Sequence, residues 1–277
     1  MFEDMPNADY HARAGVAAGE YITSSMVKAW ARNPLWFRAR YVDKTADFTG
    51  KALKLGSMVH AMLDGSFDEA FSIMPECPHQ RGGKPLKSGA KFEEWLETVK
   101  ASMGNREPYT LEEREEALDA FENLLGHEGV KALHDAPGTT EGTLTGTLEG
   151  LPVQVRVDKY IDADPIAGDG VPCIVDWKTT RDISKFRWQA RDLGYHLQAA
   201  FYSMTVALKT AVLPRVYFAV VETQQPGTAG LWVVPDGVMQ SAVDSVGTHL
   251  RGLARALESG DYPNPYAGVT PLLISDE

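Results

Sequence analysis

Residues 151–161, LPVQVRVDKYI, alternate strictly, with Val153, Val155 and Val157 on one side of an extended chain and Gln154, Arg156 and Asp158 on the other. Period two predicts a strand with one face in a core. The threonine-rich stretch 140–148 (TEGTLTGTL) predicts a strand before it. Residues 171–180 (VPCIVDWKTT) predict one after it, with a Cys-Ile-Val run that reads as buried. The segment DADPIAGDG between them is dense in turn residues and reads as a solvated loop. Two more strands are expected at 214–223 and 229–234.

Elsewhere the apolar positions recur at helical spacing. Met26 and Trp30 follow the hydroxyl residues Thr23-Ser24-Ser25, which suit a helix cap, and Asn33-Pro34 marks a break before a second short helix. Leu55, Met58, Val59 and Met62 predict a helix over 51–63 that Gly65 can end. Further helices are expected at 88–103, 110–134, 186–208 and 236–258, with a Pro- and Gly-rich loop around 75–88. Helices before strands, then strands mixed with helices, predict an α/β fold. A mixed central sheet is flanked by helices, with a helical part over 20–135, a sheet core over 136–260 and a tail over 261–277.

Composition narrows this picture. With 277 residues, 44% of them hydrophobic, the chain can bury a full core, and without a linker or repeat it reads as a single domain. The polar, acidic first residues lack the pattern of a signal peptide, and no apolar run is long enough to span a bilayer, so a cytoplasmic location without membrane contact is expected. Two cysteines, Cys77 and Cys173, exclude a four-cysteine zinc or iron–sulfur site within one chain. No G-x-x-x-x-G-K-[ST] phosphate loop is present.

A formal charge of −11 argues against a nucleic-acid partner only as an average. Residues 21–60 carry seven basic side chains against Asp43 and Asp47, and residues 181–215 carry six against Asp182 and Asp192. Phosphate contacts need this local excess, not a global one. Ser25, Arg32, Thr179, Arg187 and Arg191 are the candidate substrate contacts.

The chemistry concentrates around Asp158 and Asp176-Trp177-Lys178. Asp176 and Lys178, two apart on a strand, share a face. A lysine beside two carboxylates at the ends of buried strands is costly unless another ion sits there. Mg²⁺, with Mn²⁺ as a substitute, suits such oxygen ligands and would activate a water against a phosphodiester. Partial burial would depress the pKa of Lys178 and fit it to orient or deprotonate that water. Read singly, each residue has a plainer role: Asp176 and Lys178 as an exposed pair, Asp158 as a partner of Lys159 or Arg156, His60 as a helix histidine, Gln198 as a polar helix residue and Tyr202 as core. Glu141, on the strand preceding Asp158, could add a carboxylate, but it and Glu149 read as surface residues.

V-R-V-D-K-Y followed by I-V-D-W-K-T-T resembles the paired motifs of PD-(D/E)XK nucleases. Gln198 and Tyr202, in a helix after the lysine strand, and His60, in the upstream Gly56-Ser57-Met58-Val59-His60, resemble the exonuclease VIII (RecE) and RecB-nuclease branch. The position before Asp158 is Val157, where the family often has proline. The resemblance implies a restriction-endonuclease-like core. It implies a metal held by His60, Asp158, Asp176 and the main-chain carbonyl of Trp177, with Lys178 as the catalytic lysine and Gln198 and Tyr202 completing the site. It further implies a phage-type recombination exonuclease that digests double-stranded DNA ends 5′ to 3′. A ring-shaped homo-oligomer and a single-strand annealing partner belong to the same picture. An endonuclease or single-strand nuclease on the same core, or a catalytically silent binding module, are the alternatives.

Overall fold

The computed structural model describes residues 1–46, 53–224 and 227–268. Asp47 and Lys51 of the first basic stretch and the apolar tail segment 271–274 lie outside these residues.

The first half is helical, as expected: α1 (Asn7–Ala12), α2 (Ser24–Arg32), α3 (Pro34–Phe37), α4 (Leu53–Asp64) and α5 (Phe67–Ala70), then α6 (Ala90–Met103), α7 (Leu111–Gly126) and α8 (Glu128–Asp135). Between α5 and α7 lie short strands that no periodicity announced. These are β1 (Phe71–Ile73), paired in parallel with β4 (Glu107–Tyr109), and the hairpin β2 (Gln80–Arg81) and β3 (Lys84–Pro85), which occupies the expected loop. The second half is β5 (Thr139–Leu148), β6 (Leu151–Ile161), β7 (Cys173–Thr180), α9 (Phe186–Asp192), α10 (Tyr195–Thr210), β8 (Arg215–Glu222), β9 (Ala229–Val233) and α11 (Asp236–Ser259). Among the described residues no helix is long and apolar enough to cross a membrane.

Two expected helices are each divided. The stretch 110–134 breaks at His127, which closes α7 and caps α8 by accepting from the Val130 N–H at 3.3 Å. The stretch 186–208 breaks at Gly194, whose φ of 67° only glycine adopts without strain. The hydroxyl cap expected at the start of α2 is not made by Thr23; the side-chain cap falls instead on α3, where Asn33 Oδ1 accepts from Leu35 and Trp36.

Strands β5-β6-β7-β8-β9 form one sheet in sequence order. Only β7 and β8 run parallel, joined by the α9–α10 crossover. Both sheet faces are covered. Ile174, Val216, Phe218 and Val220 pack with Met26, Val27 and Trp30 of α2, Phe201 of α10 and Leu250 of α11. Cys173, Val175, Trp177, Tyr217 and Ala219 pack with Met58 and Val59 of α4, Leu124 of α7 and Leu133 of α8. Each fully buried large side chain contributes about 1.5–3 kcal/mol, so the two layers hold the sheet between them. Burial pushes the Cys173 thiol up to about 12, in keeping with a core residue.

The 162–171 segment is the largely exposed turn expected, but one residue of it is buried and pins it. Asp164 is buried and accepts from Arg215 at 2.6 Å, the Tyr217 hydroxyl at 2.8 Å and the backbone of Ile166 and Ala167. Asp169 holds the same guanidinium at 2.7 Å. The loop is thereby clamped to the start of β8.

At the start of β5, a Cβ on Gly138 would lie 2.2 Å from the Tyr160 carbonyl oxygen. Gly138→Ala is therefore expected to destabilise the chain by about 1–3 kcal/mol, read as a lower urea midpoint with unchanged slope. An unchanged midpoint would contradict the close approach.

Candidate active site

The site forms where β6 loses its partners. On one side, β6 pairs with β7 through Lys159–Val175, Tyr160–Ile174 and Ile161–Cys173, and pairing stops just before Asp158 would oppose Asp176. On the other, Thr140 pairs with Lys159 and Gly142 with Val157, so the facing Glu141 and Asp158 drop out of the ladder. Glu141 has φ of 51°, a conformation costing a non-glycine residue about 1–2 kcal/mol. The strict alternation also slips here. Val153, Val155, Val157 and then Tyr160 line one core, while Ile161 lines the other. Asp158 sits at the slip, free of a ladder position, with Oδ2 accepting the Trp177 N–H at 2.9 Å.

Helix α4 delivers His60. Gly56, one turn earlier, permits the approach: a Cβ there would come within 3.2 Å of Thr179 Oγ1 on β7. His60 Nε2 lies 2.9 Å from the Trp177 carbonyl oxygen and Nδ1 lies 3.7 Å from Asp158 Oδ2. With Nε2–H donating to the carbonyl, Nδ1 presents its lone pair toward Asp158, the arrangement common to metal-binding histidines. The Trp177 carbonyl lies against the His60 ring edge, with its second lone pair not taken by that contact.

Asp176 is buried, and its ammonium partner Lys178 is mostly so. Gln198 of α10 donates to Asp176 Oδ1 at 2.7 Å. Lys178 presses against Oδ2, which has no aligned hydrogen-bond donor. Burial lowers the Lys178 pKa, but the Asp176 and Asp158 carboxylates outweigh it and the net shift is upward. The depressed lysine expected from the sequence is corrected accordingly: two facing carboxylates outweigh partial burial. Burial, with Asp176 and Glu141 adding to it against His60 and Lys178, pushes Asp158 up to about 7.

His60, Asp158, Asp176, Trp177, Lys178 and Gln198 therefore converge from four elements. Tyr202 does not share the Gln198 contact. It is buried, and burial raises its pKa well above 10. Ser24 faces inward and Ser25 is exposed. Arg32 and Arg187 are exposed and stack on Trp36 and Trp188, at 4.8 and 3.9 Å from the ring centroids. Arg191 is exposed on α9, and Thr179 faces Gly56.

Two residues join the site that the sequence reading did not place in it. Glu141, expected at the surface, pairs with Arg156, and its carboxylate lies within 4.8 Å of ligand atoms of His60 and Asp158. Its signal was its place opposite Asp158 across the β5–β6 turn. Lys28 donates to Gln198 Oε1 at 3.0 Å across 170 positions of sequence, and only the tertiary fold reveals that.

The donor set suits a divalent cation. One imidazole nitrogen, two carboxylates within reach of it and a buried carboxylate oxygen without an aligned donor form a set that could hold a divalent metal ion.

Residues 23–268 match the model of the family described as PDDEXK-like domain of unknown function (DUF3799). The chain belongs to this family. No curated protein gives a significant match. Among solved structures, the PDDEXK-like chain is similar to the crystal structure of "Putative exonuclease" from Eubacterium rectale. The TM-score is 0.65 and the identity 19%, over 99% of this chain and 97% of that chain, which establishes a shared fold. The crystal structure of SSO0001 matches at a TM-score of 0.35 and 7% identity, over 86% of this chain and 80% of that chain, below the level of a shared fold.

Proposed function

We propose that this PDDEXK-like chain is a divalent-cation-dependent deoxyribonuclease, acting as an exonuclease on the ends of double-stranded DNA. The observation that carries the reading is the buried Asp176–Lys178 pair set beside Asp158 and His60 where β6 leaves the sheet. Charges are placed this way at a cost of several kcal/mol per ion, which a purely structural sheet has no reason to bear. The similar structure from Eubacterium rectale, described as "Putative exonuclease", is in keeping with the same class.

His60, Asp158, Asp176 and Glu141 would hold the cation. When bound, such a cation acidifies water and offsets charge on the phosphate. The chain's own residues set the geometry. The Trp177 N–H fixes the Asp158 carboxylate, and Gln198 fixes that of Asp176. Lys178, kept protonated by its carboxylates, holds the attacking water by hydrogen bonding and counters charge growing on the phosphate oxygens. Tyr202 of α10 is buried in one core with Met26 and Val27 of α2, which keeps Gln198 in place.

With Mg²⁺, the protein is expected to degrade linear duplex DNA and to leave covalently closed circles intact, while EDTA stops the reaction without unfolding the chain. Gel electrophoresis of both substrates checks this. Cleavage of the circles would identify an endonuclease. A protein that cleaves neither and gives no Mn²⁺ titration at the site would be a silent binding module.

A further inference from the structure

Lys28 lies on α2 with its ammonium turned into the site. Gln198 Oε1 is the one hydrogen-bond acceptor it reaches among the described residues, and its Nζ lies 5.5 Å from the Tyr195 ring centroid. Lys178 Nζ lies 5.0 Å from the same centroid. Two ammoniums therefore share one aromatic ring, and Gln198 bridges Lys28 to Asp176. Gly194 makes the space: a Cβ there would stand 3.3 Å from Lys28 Cγ, and the φ of 67° leaves the position to glycine. Burial and the facing Lys178 push the Lys28 pKa down to about 8, against the pull of Asp176.

A lone structural lysine would avoid this position. It spends one N–H on a neutral amide and is repelled by a second ammonium. Once the carboxylates of Asp158, Asp176 and Glu141 are engaged by a cation, the negative charge that offsets both lysines is shared with that cation. An anion is then the missing partner. A phosphodiester is singly charged and offers two non-bridging oxygens, which suits two ammoniums gathered at the same Tyr195 ring.

We propose that Lys28 is a second catalytic lysine, whose ammonium binds a non-bridging oxygen of the reacting phosphodiester while Gln198 holds it in place. The assignment rests on the nuclease reading above, and the test separates the two. Wild type, Lys28→Ala, Lys28→Arg and Lys178→Ala are assayed on linear duplex DNA with Mg²⁺. Mn²⁺ affinity is measured by calorimetry, and thermal melting confirms folding. Duplex binding is measured by fluorescence anisotropy at several salt concentrations for Lys178→Ala and the double variant Lys28→Ala/Lys178→Ala.

Lys28→Ala is expected to lose about 10²-fold in kcat/KM with Mn²⁺ affinity unchanged, and Lys28→Arg to recover most of it. The double variant should show a salt slope shallower by about 0.9 than Lys178→Ala, the signature of one lost phosphate contact. The groups facing Lys28 are Lys178 and Asp176 from β7 and Tyr195 and Gln198 from α10. In that setting the alkaline limb of the wild-type kcat/KM profile should move upward in Lys28→Arg, because arginine stays protonated. Lys28→Ala cleaving at the wild-type rate while Lys178→Ala is inactive would overturn the proposal and leave the nuclease reading standing. So would a loss of activity accompanied by lost Mn²⁺ affinity and an unchanged salt slope, which would make Lys28 a brace for Gln198 and Asp176. If Lys178→Ala itself cleaves like wild type, the nuclease reading fails first.

Discussion

Asp176→Asn is expected to lower Mg²⁺-supported hydrolysis of linear duplex DNA by about 10³-fold and to lower stability by about 3 kcal/mol. Both effects come from the same contact. The carboxylate is buried, one oxygen accepts from Gln198 at 2.7 Å and the other faces the Lys178 ammonium. An asparagine keeps the shape, but its single oxygen can serve only one partner: accepting from Gln198 it turns an N–H toward Lys178, and facing Lys178 it loses the Gln198 bond, so either way a mostly buried ammonium is left without its counter-ion. Adding Lys178→Met to Asp176→Asn removes that orphaned charge. The double variant should therefore regain much of the lost stability while remaining inactive. Thermal melting and an initial-rate assay on the three proteins check this. If the pair were an exposed strand pair, neither single nor double change would move the melting temperature beyond the small effects of surface ion pairs.

The parts of the site carried by local pattern were readable from the sequence. Alternation in 151–161 and the apolar run before Asp176 placed both carboxylates on successive strands, and Gly56 with its helical neighbours placed His60 on a helix. What no local pattern carried was the slip in β6. Strict alternation would put Asp158 in line with Gln154 and Arg156. In the fold, the unpaired Glu141–Asp158 level instead turns the strand over, so Tyr160 rejoins the core of Val157. That break admits Glu141 to the site, and its surface appearance in sequence reflected only its polarity. Lys28 was hidden for another reason. Its neighbours Met26, Val27 and Trp30 define a core-facing helix, and a lysine among them reads as a solvated residue until α10 is laid across it. The sign of the Lys178 shift was missed because burial and paired carboxylates act oppositely, and their balance depends on distance. The split of the 186–208 helix was marked by Gly194, whose positive φ and lack of a Cβ make room for Lys28.

Cation affinity should fall steeply between about pH 7 and pH 5. The Asp158 carboxyl, with an ordinary value of 3.8, is pushed up to about 7, first by burial and then by Asp176 and Glu141. Its folded value therefore lies above its unfolded one. In the metal-free protein the neutral acid is favoured in the fold, and this stabilising contribution is fully present below about pH 4. It is lost as pH rises through about 7, where the folded chain must carry an ionised buried carboxylate. A cation needs that ionised form, so binding below pH 7 must displace a proton. The apparent affinity for Mn²⁺ is expected to weaken about tenfold per pH unit on the acid side of 7 and to level off above it. Calorimetry at pH 5, 6, 7 and 8 measures the slope directly. Asp158→Asn should bind more weakly throughout and lose this part of the slope. The same linkage makes the cation most stabilising at alkaline pH, where the metal-free site is least comfortable, so saturating Mn²⁺ should raise the melting temperature more at pH 8 than at pH 6. An affinity that stays level from pH 5 to pH 8 would mean that Asp158 is already ionised in the metal-free chain. The Trp177 N–H and His60 would then outweigh burial in setting its charge.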